Sequence, residues 1–158
     1  DPLAHIILIA DLRWLPAVRS RFAASPRIHV LQKIADRNEF LLALGSVDVI
    51  LDTLPWGGWT TGLQGVAAGT PIVTYPREDA RGRFVANLYA NYIGESFLVD
   101  HLVAGSWEEY ERMAVRMAGD AGLRERVRQI FSASYPRIFE TRETIDLWED
   151  FLTTVVGR

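Results

Sequence analysis

The chain has 158 residues, which is enough for one globular domain with a single hydrophobic core. Its hydrophobic share of 49% and charged share of 23% exclude wholesale disorder, and its formal net charge of −3 argues against a surface that binds nucleic acid. The absence of cysteine excludes disulfides, zinc–thiolate sites and thiol catalysis. No apolar run is long enough to span a bilayer, so we expect no membrane partner. Because of the net negative charge, we expect no nucleic-acid partner either.

Strand-like and helix-like segments alternate up to about residue 100. Apolar, β-branched runs predict strands, and amphipathic stretches between them predict helices. The predicted strands cover residues 5–10, 27–31, 47–52, 71–75 and, as a weaker candidate, 96–99. The predicted helices between the strands cover residues 12–24, 36–45, 60–68 and 82–91.

Three amphipathic helices follow this alternation. The first is predicted to begin after Ser106, which forms a capping box with Glu109, and the second to begin after Asp120. The last carries apolar residues from Ile145 to Val155 at a spacing of three to four. They form a C-terminal helical extension to the alternating part.

The order of elements predicts an α/β fold with a doubly wound, mainly parallel Rossmann-like sheet. Short loops between alternating strands and helices favour parallel pairing through right-handed crossovers. In such sheets, ligands bind at the carboxyl ends of the strands. The loops to inspect therefore follow Ala10, Leu31, Asp52 and Tyr75.

The stretch from residue 52 to residue 62 carries the strongest chemical signal. It joins a buried strand to a helix through Gly57 and Gly58 and then places Thr60 and Thr61 at the start of the helix. A helix N-terminus has unpaired N–H groups and a partial positive charge, so a phosphate group fits there. Alternatively, Thr60 only caps the helix and the glycines only form the turn. The residues by themselves leave both interpretations open.

Three runs of this sequence resemble the O-GlcNAc-transferase family: VDVILDT at residues 47–53, GWTTG at residues 58–62 and AGTPIVT at residues 68–74. Members of that family glycosylate Ser/Thr or, in some bacterial relatives, Asn side chains. They have the GT-B architecture, in which two Rossmann-like domains enclose the sugar nucleotide. The resemblance implies that residues 1–158 form one nucleotide-sugar-binding domain, the C-terminal half of a GT-B fold and a fragment of a longer glycosyltransferase.

The resemblance also implies where the donor binds. The hydroxyls and amides of Thr60 and Thr61 would hold the diphosphate of a UDP-sugar, with Gly58 beside them. The loop at residues 33–37 falls where the family holds uracil, so that backbone groups near Ala35 would read the base edge.

The face of the uracil would then be covered by Arg37 or Phe40, both close to the same loop. For Arg37, a solvated position in a first helical turn is an equally good interpretation. For Phe40, a position in the hydrophobic core is the better one.

Two positions depart from the family pattern. Trp59 stands where most animal-type members have His, and Gln64 stands where they have an Asp that contacts the ribose. Trp59 either packs on the domain, against Pro55 or Trp56, or faces the ligand with its indole N–H and ring. We favour the ligand-facing position, because the glycine turn before it gives the side chain little local cover.

The function implied by the resemblance is inverting transfer of a sugar from a UDP-sugar to a protein side chain, without a metal ion or other cofactor. No residue is assigned as the catalytic base. The protein acceptor would bind mainly to an N-terminal part, so the chain alone is expected to be inactive. Because no secretion leader is visible, we expect a cytoplasmic protein.

Two alternatives remain open. The first is a non-catalytic Rossmann-like interaction or regulatory domain, which the departures at Trp59 and Gln64 favour. The second is a GT-B enzyme that uses another nucleotide sugar, with ADP or GDP. The charged residues between 77 and 83 are expected to form a solvated loop rather than part of a site.

Overall fold

Four short strands and eight α-helices make up the part of the chain that the computed structural model describes, residues 3–76 and 78–156. The strands are β1 (Ile6–Ala10), β2 (Ile28–Gln32), β3 (Ile50–Leu51) and β4 (Ile72–Val73). The helices are α1 (Leu15–Phe22), α2 (Arg37–Gly45), α3 (Thr60–Ala67), α4 (Phe84–Asn87), α5 (Ser96–Leu102), α6 (Trp107–Gly119), α7 (Ala121–Phe139) and α8 (Glu143–Val156). A 3-10 turn (Ala80–Gly82) precedes α4, and a π-helical segment (Leu88–Ile93) continues it.

The strands form two parallel pairs. β1 pairs with β2, with Ile6 opposite Ile28, and β3 pairs with β4, with Ile50 opposite Ile72. Just beyond β4, Thr74 forms a parallel bridge with residue 103. Parallel strands joined by helices, followed by a C-terminal helical stretch, confirm the predicted α/β class. β3 and β4 are shorter than the apolar runs that predicted them.

The predicted strand at residues 96–99 is wrong, because these residues begin α5. Leu98 and Leu102 are both fully buried, and the ring of Phe97 stacks on that of His101 with 4.2 Å between the centroids. Both pairs are four residues apart, a spacing that brings side chains into contact on one face of a helix, whereas in a strand their Cα atoms would be about 13 Å apart. Packing of this helical face therefore outweighs the strand propensity of a short apolar run.

Three of the predicted helix starts are confirmed by their caps. The carboxylate of Asp36 accepts hydrogen bonds from the amides two and three residues ahead, both at 2.9 Å. Ser106 Oγ accepts from the amide of Glu109 at 3.1 Å, and Asp120 Oδ1 accepts from the amide of Leu123 at 2.9 Å. A side-chain cap satisfies amides that would otherwise lack a partner. Because these amides are only two or three residues ahead, a short window of sequence contains the whole signal.

The main hydrophobic core surrounds β4 and is formed mostly by α3 to α7. Tyr89, in the π-helical segment, is fully buried at its centre and packs on Phe131 with the ring centroids 5.9 Å apart. Its hydroxyl donates to the carbonyl of Ile72 at 3.0 Å and lies 3.3 Å from the amide nitrogen of the same residue. Tyr89 therefore joins the helical layer to the backbone of β4.

The last helix forms as predicted, but α8 buries none of its side chains. Its large apolar residues are more than half exposed, among them Trp148 and Phe151. Within the described residues, every helix is too short or too polar to cross a lipid bilayer.

Candidate functional site

Residues 52–59 connect β3 to α3 and form the candidate site. Asp52 directly follows β3 and is buried; its Oδ1 accepts from the amide of Gly58 at 2.7 Å, and its Oδ2 accepts from the hydroxyl of Thr74 at 2.7 Å. The amide of Gly57 donates to the carbonyl of Arg81 at 3.0 Å. The loop is thus held on one side by the end of the sheet and on the other by the 3-10 turn.

Gly57 is required by how closely the loop approaches its neighbours, whereas Gly58 is less constrained. A Cβ atom on Gly57 would lie 3.1 Å from the carbonyl oxygen of Arg81 and 3.2 Å from Oδ2 of Asp52. On Gly58 it would lie 3.4 Å from Oδ1 of Asp52. Both distances at Gly57 are tighter than ordinary contacts, so a side chain there would push the loop off its anchors.

The start of α3 offers hydrogen-bond donors without protein partners. Trp59 occupies the N-cap position, and no side chain in the described part of the protein caps the helix. The first backbone hydrogen bonds of α3 run from the amide of Gly62 to the carbonyl of Gly58, at 3.1 Å, and from the amide of Leu63 to the carbonyl of Trp59, at 3.3 Å. Among the described residues, the amides and hydroxyls of Thr60 and Thr61 have no acceptor. The alternative in which Thr60 caps the helix is therefore wrong.

Trp59 packs on the domain through one face only. Its ring stacks on Phe84, with centroids 5.0 Å apart and planes inclined by 15°, while 64% of the residue stays exposed. Trp56 is equally exposed and lies under the guanidinium of Arg81, 5.0 Å from the ring centroid. Two exposed indole rings therefore belong to the loop, and the stacking partner of Trp59 is Phe84 rather than Trp56.

Gln64 shares a helix face with the threonine pair. It follows Thr60 by four residues and Thr61 by three, spacings that bring side chains of an α-helix to the same side. Thr60 is exposed, while Thr61 and Gln64 are half-buried. An uncharged amide is thus placed one turn from the free donors, where it can offer both a donor and an acceptor.

Ala35 and Arg37 lie on a neighbouring element, at the loop after β2 and the first residue of α2. Both are exposed. The carboxyl end of α2 meets that of α3, where the hydroxyl of Thr70 donates to the carbonyl of Leu44 at 2.7 Å. The two helices are therefore neighbours at their carboxyl ends. Among the described residues, no hydrogen bond or ring contact joins Ala35 or Arg37 to residues 52–59.

The segment after β4 contributes more to the site than the sequence indicated. The guanidinium of Arg81 packs on the ring of Trp56, and its backbone carbonyl accepts a hydrogen bond from the amide of Gly57. Arg81 therefore borders the loop and is not merely solvated. Arg77, also expected in a solvated loop, lies outside the described residues. The buried carboxylate of Asp52 was not predicted as a site residue either. Its signal is an acidic residue that ends an apolar strand and precedes a loop with two adjacent glycines.

The electrostatics around Asp52 are set by burial. The hydroxyl of Tyr110 donates to the backbone carbonyl of Asp52 at 2.9 Å. Burial, and to a smaller degree the negative charge of Asp52, raise the pKa of Tyr110 to about 12, so that its hydroxyl stays protonated as a donor.

In residues 3–76 and 78–156, His, Asp and Glu side chains form no group of three that could hold a metal ion.

Comparison with known proteins extends over most of the chain. The sequence profile of glycosyl transferase family 41 matches residues 16–148. A protein of Eustoma exaltatum subsp. russellianum, named Probable UDP-N-acetylglucosamine--peptide N-acetylglucosaminyltransferase SPINDLY, is 31% identical over 118 residues, which cover 70% of this chain and 12% of that protein. The UDP-N-acetylglucosamine--peptide N-acetylglucosaminyltransferase of Caenorhabditis elegans is 37% identical over 93 residues, which cover 58% of this chain and 8% of that protein.

A solved structure is similar in fold as well as in sequence. A mutant of the Thermobaculum terrenum O-GlcNAc transferase matches with a TM-score of 0.67 and 30% identity, over 84% of this chain and 26% of that one. The chain thus spans 12% or less of these two curated relatives. The likeness confirms the predicted resemblance to the O-GlcNAc transferases and their GT-B fold. Because the family profile covers the loop at residues 52–59, α3 and most of the remaining elements, the chain belongs to glycosyl transferase family 41.

Proposed function

We propose that this chain is the donor-binding region of an inverting glycosyltransferase that transfers a sugar from a UDP-sugar to side chains of a protein. The observation that carries the proposal is the start of α3, where the amides and hydroxyls of Thr60 and Thr61 have no protein acceptor among the described residues. A diphosphate can accept from all four groups and gains from the positive end of the helix dipole. The names of the Eustoma and Caenorhabditis relatives, which specify UDP-N-acetylglucosamine and a peptide, support this choice.

The same geometry accounts for the chemical step. When the bond between the sugar and the diphosphate breaks, negative charge develops on the leaving phosphate oxygen. Donors that are already oriented by a helix stabilise this charge without having to reorganise. Thr60 and Thr61 would therefore assist departure of UDP, and no metal ion would be needed to neutralise it.

The rest of the donor would extend from α3 toward α2. Gln64 would reach the ribose with its amide, since it lies on the same helix face as Thr60. Backbone groups at Ala35 would bind the edge of the uracil, and Arg37 would cover its face. The contact between the carboxyl ends of the two helices supports this path, because it makes α2 and α3 neighbours.

The choice of nucleotide is tested by titrating the intact protein with UDP, GDP and ADP in a calorimeter. We expect UDP to bind at least tenfold more tightly than the other two, because backbone groups that read a uracil edge leave polar atoms unpaired with a purine. Tighter binding of GDP or ADP would contradict the UDP assignment and favour a different nucleotide sugar. Binding of none of the three would favour a non-catalytic interaction domain.

Trp59 is expected to contact the donor with the part of its ring that Phe84 leaves free. Trp59→Phe keeps the stack but removes the N–H, and Trp59→His restores the animal-type residue. Each should change UDP affinity or turnover by about threefold to tenfold, the usual range for one neutral hydrogen bond. Because 64% of Trp59 is exposed, the Tm should hardly move.

Trp56→Phe is the matched control for Trp59, since Trp56 is also 64% exposed and lies in the same loop. It should leave UDP affinity closer to that of the parent protein. A fall in Tm with unchanged affinity in both Trp59 variants would make Trp59 a packing residue and reject its role in donor binding.

A further inference from the structure

We propose that Asp52 is the positioning residue of the donor site: its carboxylate holds the Gly58 peptide in the orientation from which α3 and its free donors start. The proposal deepens the proposed function and rests on it. Asp52 itself does not touch the donor. It acts through the loop: it lies in one of the runs that carry the family resemblance, but the resemblance implied no donor-binding role for it.

The contacts form a continuous path from Asp52 to the first turn of α3. Oδ1 of Asp52 accepts from the amide of Gly58 at 2.7 Å, and the carbonyl of Gly58 accepts from the amide of Gly62 at 3.1 Å. The peptide plane before Gly58 and the one after it are thus each held by a hydrogen bond. Since the amide of Gly58 already donates to Asp52, the amides that the described residues leave free for a ligand begin with that of Trp59 and continue at Thr60 and Thr61.

The anchor at the other end of this path is rigid. Oδ2 of Asp52 accepts from the hydroxyl of Thr74, which is 1% exposed. Thr74 donates its own amide to the carbonyl of Leu102 at 2.8 Å and accepts from the amide of Ala104 at 2.8 Å. In addition, the hydroxyl of Tyr110 in α6 donates to the backbone carbonyl of Asp52. Asp52 therefore connects the loop to the hydrophobic core rather than to another surface loop.

A carboxylate at 7% exposure is costly unless its oxygens are satisfied, and here both oxygens accept from groups of fixed position. An asparagine can keep the same two contacts, because its Oδ1 accepts from Gly58 while its Nδ2 donates to Thr74 Oγ1. An alanine leaves the Gly58 amide and the Thr74 hydroxyl unpaired. Comparing these two substitutions therefore separates the hydrogen-bond geometry from the negative charge.

The test measures the Kd for UDP and the Tm of the intact protein with Asp52→Ala, Asp52→Asn and Val127→Ala. Val127 is fully buried in α7, outside the site, so its truncation lowers stability without removing a contact of the loop. We expect Asp52→Ala to raise the Kd for UDP at least tenfold and Asp52→Asn to stay within threefold of the parent. Val127→Ala should also stay within threefold at a comparable loss of Tm.

Three results would overturn the role of Asp52. They are an unchanged Kd in Asp52→Ala, an equal loss of affinity in Val127→Ala, and a loss in folded Asp52→Asn as large as that in Asp52→Ala. If Asp52→Ala does not fold, Thr74→Val removes one anchor of the carboxylate and should raise the Kd at least threefold, whereas Thr74→Ser keeps the hydroxyl and should not. A parent protein that binds no UDP would reject the proposed function itself, and the Asp52 proposal with it.

Discussion

Replacing Thr60 and Thr61 together by alanine is expected to weaken UDP binding to the intact protein by at least about 2 kcal/mol, roughly thirtyfold. A hydrogen bond to a charged group contributes about 1.5–3 kcal/mol, and the double substitution removes two hydroxyl donors to the diphosphate. We expect the loss of binding free energy to be smaller than the sum of two such bonds, because the backbone amides and the helix dipole still interact with the diphosphate. A calorimetric titration with UDP measures it directly.

The fold should tolerate this change. Neither hydroxyl has a partner among the described residues, and alanine favours a helix more than threonine does. Thr60→Ser together with Thr61→Ser is the matched control, because it keeps both hydroxyls at the same positions and should stay close to the parent affinity. If the double alanine variant is folded and binds UDP as tightly as the parent protein, the diphosphate does not bind at the start of α3.

The largest expected effect on stability is at Tyr89. Tyr89→Ala should lower the free energy of unfolding by about 3–5 kcal/mol, since truncating a buried aromatic side chain leaves a cavity around its neighbours. A typical domain has a free energy of unfolding of only about 5–15 kcal/mol, so the Tm of the variant should lie well below that of the parent protein. Thermal unfolding followed by circular dichroism provides the measurement.

Two further variants separate the causes. Tyr89→Phe keeps the ring on Phe131 and removes only the hydroxyl that contacts Ile72, so it should cost about 1–3 kcal/mol. Tyr92→Ala lies three residues later in the same π-helical segment and is 67% exposed, so it should have little effect on the Tm. A loss at Tyr92 as large as that at Tyr89 would mean that the segment, rather than the buried ring, controls stability.

Much of the local structure could be predicted because its causes are local. Asp36, Ser106 and Asp120 each cap a helix through amides two or three residues ahead, so their effect is visible in any short window of sequence. The strand prediction for residues 96–99 is wrong because a run of four apolar residues fits a buried strand and a buried helix equally well. What makes them helical is the packing of Leu98 and Leu102 against the core.

The sequence by itself determined the family, the order of elements up to residue 91 and the position of Thr60 and Thr61 at the start of a helix. Only the tertiary structure showed what holds that helix start in place. Asp52 contacts Thr74 at a separation of 22 residues and Tyr110 at 58. Such contacts follow no helical or strand period, because they depend on which elements become neighbours when the hydrophobic faces are buried. Periodicity and motifs therefore identified the donor groups, whereas the packing around β4 decided how they are held.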